Sequence, residues 1–406
     1  MRRVYLDDPL LEGATLARDV GGPAGDAIAR AGHQLTARAI RALAERGASV
    51  CFVDDEAGGD VAAAPIPDHP AVEAARAALA ELCRILGRSL DPLQRHPTSR
   101  ALEEMKASRP LKAAEAALNV LKATTPGLAA YSRNVGGAAG LLYDRHPADD
   151  IVGHSVHVAV LACRFGTAVG FSENDLNTTA YVALLHDLGL LVVPEDVRRL
   201  PPLRRSPAEQ RRYEDHALLG EMLLGPAGLR SPAVPIVAAE HHEMQSGAGY
   251  PRGLVGGNRI LRAAEHASDR TRIALVSEVV AVADRYERLV APSPGHRPLS
   301  AAAARTVLAA EAGSVLNAEV VGRTLDVIPA WPLGGEVRLR GGQHDGGHAV
   351  VVAIDAVTPE RPAVRVFSDA RRQPIPPVDL DLQGAPFVTL EPVDLPAEVV
   401  GAAVSR

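Results

Sequence analysis

Ala180-Tyr-Val-Ala-Leu-Leu-His-Asp-Leu-Gly189 is the stretch whose reading decides the fold. The six residues from Ala180 to Leu185 carry no charge and form the most apolar helical run of the chain, so this helix is expected inside the protein. It delivers an ionisable doublet, His186-Asp187, into that interior. A buried imidazole and carboxylate must be ion-paired, hydrogen-bonded or metal-bound, because burying either alone is costly.

Further out, other polar residues interrupt apolar stripes in the same way. In a helix expected over residues 151–169, Ile151, His154, Val158, Leu161 and Phe165 share one face, with Asp150 one turn above His154. In another, over residues 273–290, Ile273, Val276, Val280, Asp284 and Glu287 line up and place two carboxylates on the buried side. His216 is flanked on its face by Tyr213, Gly220 and Leu223, and His241-His242 closes a helix containing Val234, Val237 and Ala238. Six of the 14 histidines fall between His154 and His242 and share the region with these carboxylates. Charges isolated in a core are costly, whereas charges gathered around cations are not.

No cysteine joins the cluster: Cys51, Cys83 and Cys163 stand far apart in no ligand spacing and read as small buried hydrophobes. A set of nitrogen and oxygen donors suits two or more iron, manganese or similar ions better than a structural zinc. An aspartate beside a ligating histidine can bridge two such cations, the geometry that holds a nucleophilic hydroxide. Just downstream, Gln245-Ser-Gly-Ala-Gly-Tyr-Pro-Arg-Gly253 combines flexible glycines with a rigid proline and an aromatic, and reads as a loop lining the same site.

The bulk composition bounds the rest. At 406 residues, 47% hydrophobic and 23% charged, the chain is an ordinary globular one of two or three domains. It has no run of eighteen apolar residues and no basic-then-apolar leader, which predicts a soluble, cytoplasmic protein away from the membrane. A net charge of −6 with 3% aromatics argues against a nucleic-acid polymer as partner. Because Lys106, Lys112 and Lys122 are the only lysines, any phosphate clamp further on must be arginine, with Arg252 the first candidate and Arg198 and Arg204 its rivals.

Residues 1–57 read as a small α+β module, with a helix over Thr36–Arg46 and a strand over Ser49–Val53. Residues 58–127 read as a linker followed by two helical patterns, 71–90 and 98–123, the second broken at Pro110; these either pack on the central segment or pair with a second copy of the chain. Residues 128–327 are helix after helix, and 328–406 a small β domain with strands over 336–339, 349–354, 363–367 and 387–390. The fold class expected is mainly α, with an all-helical central domain between a small α+β module and a small all-β one.

In this order, His154-Ser155, His186-Asp187-Leu188-Gly189, His216 with Gly220, His241-His242-Glu243 and Gly249-Tyr250-Pro251 resemble the HD-GYP family over residues 150–327. The resemblance implies an all-helical HD fold that holds two or three divalent ions, iron or manganese, and hydrolyses the bacterial signal cyclic di-GMP or a related cyclic dinucleotide through a metal-bridging hydroxide. It implies metal ligation by His154, His186, Asp187, His216, His241, His242 and Asp284, with Asp150 where some members place an extra acidic ligand. His186 and Asp187 are then expected to serve catalysis and Gly249 and Tyr250 to line the substrate, joined by Arg252 because it directly follows Tyr250-Pro251 on that loop. Leu190 departs from the pattern: the family usually has a phosphate-contacting lysine there, so Leu190→Lys is expected to raise the rate. The competing reading is a weakly catalytic module that senses a cyclic dinucleotide or contacts other signalling proteins.

Overall fold

The structure, a computed structural model, describes residues 1–21, 27–46, 48–61, 69–134, 151–225, 231–261, 271–291, 297–355 and 357–394. The N-terminal module contains β1 (Arg2–Tyr5), β2 (Thr15–Leu16), β3 (Val20–Gly21), β4 (Ala27–Ala29), α1 (Ala37–Glu45) and β5 (Val50–Asp54). Its main sheet is antiparallel with order β1-β5-β2, and Val4, Leu16, Leu35, Leu43 and Val53 form its core. Thr36 caps α1, accepting from the Ala39 amide at 3.2 Å.

The helical body begins with α2 (Pro70–Leu90), α3 (Thr98–Ser108) and α4 (Glu115–Asn134). The expected break at Pro110 is present as Arg109 in the left-handed region followed by a short 3-10 turn, Pro110–Ala114. The boundary expected at residue 127 is not a joint, since α4 continues through it and through Pro126. Pro126 cannot donate to the Lys122 carbonyl, and the Thr125 hydroxyl does so instead at 2.9 Å. Of the two uses foreseen for these helices, the structure shows packing on the central segment: Leu79, Leu82, Leu86, Leu121 and Leu128 share one core with Val158, Leu184 and Tyr286.

That central segment comprises α5 (Val152–Ala168), α6 (Glu173–Leu185), α7 (Glu195–Arg199), α8 (Pro207–Glu214), α9 (His216–Leu223), α10 (Ala233–Glu240), α11 (Leu275–Val290), α12 (Ala301–Glu311) and α13 (Ala318–Leu325). α5 is buried on nearly every side from Gly153 to Cys163, which makes it the axis on which α6 and α11 pack. α6 starts at a capping box in which Ser172 and Asp175 exchange side-chain and backbone hydrogen bonds, and His186 caps its other end.

The C-terminal domain is a five-stranded antiparallel sheet of β6 (Glu336–Arg340), β7 (His348–Ala353), β8 (Ala363–Ser368), β9 (Pro374–Asp381) and β10 (Thr389–Pro392), in the order β10-β6-β7-β8-β9. β9 is an addition to the expected strands. Pro374, Pro376 and Pro377 argue against a strand, but β9 lies at the sheet edge, where missing donors do no harm. Among the described residues no helix is long and apolar enough to cross a membrane. The architecture is mainly α with two small β-containing modules, as the sequence pattern implies.

Candidate metal centre

Three histidines of the cluster sit where helices end. The last carbonyls of a helix lack amide partners, and a side chain placed there can supply them. His186 follows α6 and its Nδ1 lies 2.7 Å from the Ala183 carbonyl. His241 follows α10, with Nδ1 3.1 Å from the carbonyls of both Val237 and Ala238. His216 begins α9 just past the end of α8, with Nδ1 2.7 Å from the Tyr213 carbonyl. A carbonyl only accepts, so Nδ1 carries a proton in each ring, and in the neutral form of the ring Nε2 keeps its lone pair. The helix ends thus set the tautomer that a metal ligand needs.

His154 reaches the same place from the first turn of α5, where α11 packs against it. Its Nδ1 lies 2.7 Å from Glu287 Oε2 and its Nε2 2.8 Å from Asp284 Oδ1. Asp187 stands between the two groups of rings. Its Oδ2 is 3.4 Å from Nε2 of both His154 and His186, and its Oδ1 is 3.4 Å from Nε2 of His216 and 3.3 Å from Nε2 of His241. Two sets result, His154-His186-Asp187-Asp284 and Asp187-His216-His241-His242, each with its donor atoms within 4.8 Å of one another.

The donor atoms fit cations. Among the described residues, Nε2 of His186, Nε2 of His242 and Oδ1 of Asp187 are buried without a hydrogen-bond partner, and buried polar atoms left so call for an explanation such as an ion. Nε2 of His216 and Nε2 of His241 face each other at 3.3 Å with both Nδ1 atoms already engaged, so two lone pairs converge on one point. Either set could hold one divalent ion, with Asp187 giving an oxygen to each.

Electrostatics divides the sets. Burial drives the His216 imidazole down to about 4, and burial with His241 and His216 nearby holds His242 well below the usual range, so both rings are neutral and able to ligate. Burial also opposes charge on His154, but the Glu287 carboxylate and the hydrogen bonds to Asp284 and Glu287 lift it to about 9. Burial pushes Asp187 up, and His186, His241 and Arg288 together outweigh it and hold the carboxyl well below the carboxylate range.

The glycine, tyrosine and proline after His242 form the loop expected beside the cluster. The Tyr250 ring lies 4.8 Å from that of His242 and 6.2 Å from that of His216, and Tyr250-Pro251 is cis. Glu243 holds the loop in place, with Oε1 accepting from the Arg252 amide at 2.7 Å and Oε2 from the Leu254 amide at 2.8 Å. A Cβ at position 249 would overlap the Met244 amide and lie 2.5 Å from the His242 carbonyl oxygen, so only glycine fits there. Gly189 is closer still, since a Cβ on it would overlap the His216 carbonyl oxygen. This approach lets the segment after Asp187 lie against the start of α9.

Of the residues singled out in the sequence, the structure brings together His154, His186, Asp187, His216, His241, His242 and Asp284, with Gly249 and Tyr250 beside them. Asp150 lies outside the described residues. Arg252 is exposed, and its guanidinium pairs with Glu221; no contact among the described residues brings it to the ligands. Leu190 is only 3% exposed and belongs to the core, so it forms no part of an open substrate wall. Arg288 was missed. It reaches Asp284 and Asp187 from α11, and the signal was its place four residues after Asp284 on the same helix face. His157 was also missed: it is buried, with Nδ1 3.5 Å from Glu287 Oε1.

Comparison with known proteins agrees with this picture. Residues 139–320 match a family model described as HD domain. The chain is 30% identical over 166 residues to the cyclic di-GMP phosphodiesterase response regulator RpfG of Xanthomonas campestris, covering 41% of this chain and 39% of that protein. It is 27% identical over 171 residues to a cyclic di-GMP phosphodiesterase of Thermotoga maritima, covering 41% and 42%. A 3'3'-cGAMP-specific phosphodiesterase 3 of Vibrio cholerae is 31% identical over 144 residues, covering 35% and 27%. The chain therefore spans less than half the length of these three relatives. Residues 139–320 are thus similar to the HD domain, and the relatives they match are cyclic-dinucleotide phosphodiesterases.

Proposed function

We propose that the protein is a metal-dependent phosphodiesterase that opens a cyclic dinucleotide, cyclic di-GMP or its GMP-AMP relative, to the linear form. One observation carries the reading: Asp187 turns one carboxylate oxygen to each of two buried ligand sets, an arrangement made for a pair of cations. The donors are imidazole and carboxylate without thiolate, which suits two Fe or Mn ions, and a third if Asp150 contributes. Bound there, such ions acidify a water and neutralise charge on the phosphoryl oxygens.

The chain's own residues hold and orient. His154, His186, His216, His241, His242, Asp187 and Asp284 are the ligands of this reading. Glu287 fixes the His154 ring, and the helix-end carbonyls fix His186, His216 and His241. Tyr250 covers one side of His242 and narrows the access of water there. The names of the relatives supply the substrate class, and a cytoplasmic location follows from that substrate.

The test is to purify the protein without oxygen, measure its metal, and incubate it with cyclic di-GMP and with 3'3'-cGAMP under Fe(II), Mn(II) and Zn(II). Linear dinucleotide should form with Fe(II) or Mn(II). Tight binding without turnover under every metal would overturn the enzyme in favour of a sensor.

A further inference from the structure

Arg288 is the one arginine or lysine among the described residues that pairs with the ligand carboxylates Asp187 and Asp284. Its Nε lies 2.9 and 3.0 Å from the two oxygens of Asp284, and its Nη2 3.0 Å from Asp187 Oδ2. Its Nη1 has no hydrogen-bond partner among the described residues, and a third of the side chain remains exposed. The guanidinium is thus pinned from two sides, with Nη1 uncommitted among the described residues.

Other arginines of the region are engaged elsewhere. Arg252 pairs with Glu221, Arg198 gives Nη1 to the Leu190 carbonyl at 3.1 Å, and Arg205 stacks on Tyr213 at 3.6 Å. We propose that Arg288 is the anion-gripping residue of this site, offering Nη1 to a non-bridging oxygen of a phosphodiester docked across the two ligand sets. The proposal rests on the reading of the site as a phosphodiesterase centre.

Four physical points support it. A phosphodiester that meets both ligand sets must lie beside Asp187, the residue they share, and Arg288 touches Asp187 directly. The planar fork can bond two carboxylates and still present an outward donor, which the compact ammonium of lysine does less well. Because Asp187 and Asp284 already hold the side chain, little rotamer freedom is lost when the anion arrives. Charge also favours it: Asp187, Asp284 and Glu287 would otherwise offset much of the charge of two bound cations and weaken the pull on an anion.

The rival explanation makes Arg288 only a counter-ion for the ligand carboxylates. Inorganic phosphate separates the two, because its binding does not depend on which dinucleotide is the substrate. Calorimetric titration of phosphate into Mn-loaded wild type, Arg288→Ala and Arg288→Gln should show Kd raised roughly ten- to a hundredfold in both variants, with metal content no lower. Arg288→Gln keeps a donor for the aspartates, and so serves if the alanine variant folds poorly. Phosphate affinity equal to wild type in a metal-replete variant would overturn the proposal. Wild type that grips phosphate through Arg288 but cleaves no cyclic dinucleotide would sink the enzyme reading and leave the anion site standing.

Discussion

Glu287 Oε2 lies 2.7 Å from Nδ1 of His154, with both side chains buried. A carboxylate in that position aims the ring and strengthens its other nitrogen as a donor, and outer partners of this kind are worth about ten- to a hundredfold in metal affinity. Glu287→Gln keeps an acceptor oxygen but loses the charge. Metal affinity, measured by competition with a chelator, should fall by roughly tenfold or more. An unchanged affinity would mean that α5 packing alone orients His154.

The sharing of Asp187 makes a stoichiometric prediction. Asp187→Ala removes an oxygen from both ligand sets, while His242→Ala removes a donor from the His216 set alone. Elemental analysis should find both ions lost from the first variant and one retained by the second. One full equivalent retained by Asp187→Ala would show that the carboxylate is not shared.

Much of this centre was legible because its parts break a strong pattern. Histidines and aspartates on otherwise apolar helix faces are visible at helical spacing, and His154, Asp284 and Glu287 were found that way. What stayed hidden depends on tertiary pairing. Arg252 and Glu221 are 31 residues apart, and no local pattern announces that one will hold the other. Leu190 shares the turn after Asp187, yet the way that turn lies decides whether position 190 faces substrate or core, and it faces core. β9 was hidden by its prolines, which are forbidden in a sheet interior and tolerated at an edge.

Two glycines test how tightly the site is packed. At Gly189 a methyl group would overlap the His216 carbonyl oxygen and lie 2.6 Å from the Gly220 amide, so backbone must move. Gly189→Ala should cost on the order of 3 kcal/mol and reduce bound metal, because His216 moves with the backbone. Gly322, exposed in α13 with nothing within 4 Å of a Cβ, is the control. Gly322→Ala should stabilise by about 0.5–1 kcal/mol through the unfolded chain. Thermal melts of the two variants moving in the same direction would show that close packing at Gly189 is not what its neighbours suggest.

Leu190→Lys distinguishes the pattern of the sequence from the geometry of the structure. A lysine at that position is expected from the family pattern to bind phosphate and raise the rate. In this chain Leu190 is enclosed by the core, and its carbonyl is held by Arg198. Lysine there loses the leucine's apolar burial and places an ammonium where water is scarce, a combined cost of about 3 kcal/mol. The variant should therefore melt at lower temperature, with no gain in cleavage of cyclic di-GMP while Arg288 is intact. A variant as stable as wild type and faster would place the anion-binding wall on the Leu190 side, with its lysine head reaching the cleft and Arg288 reduced to a counter-ion.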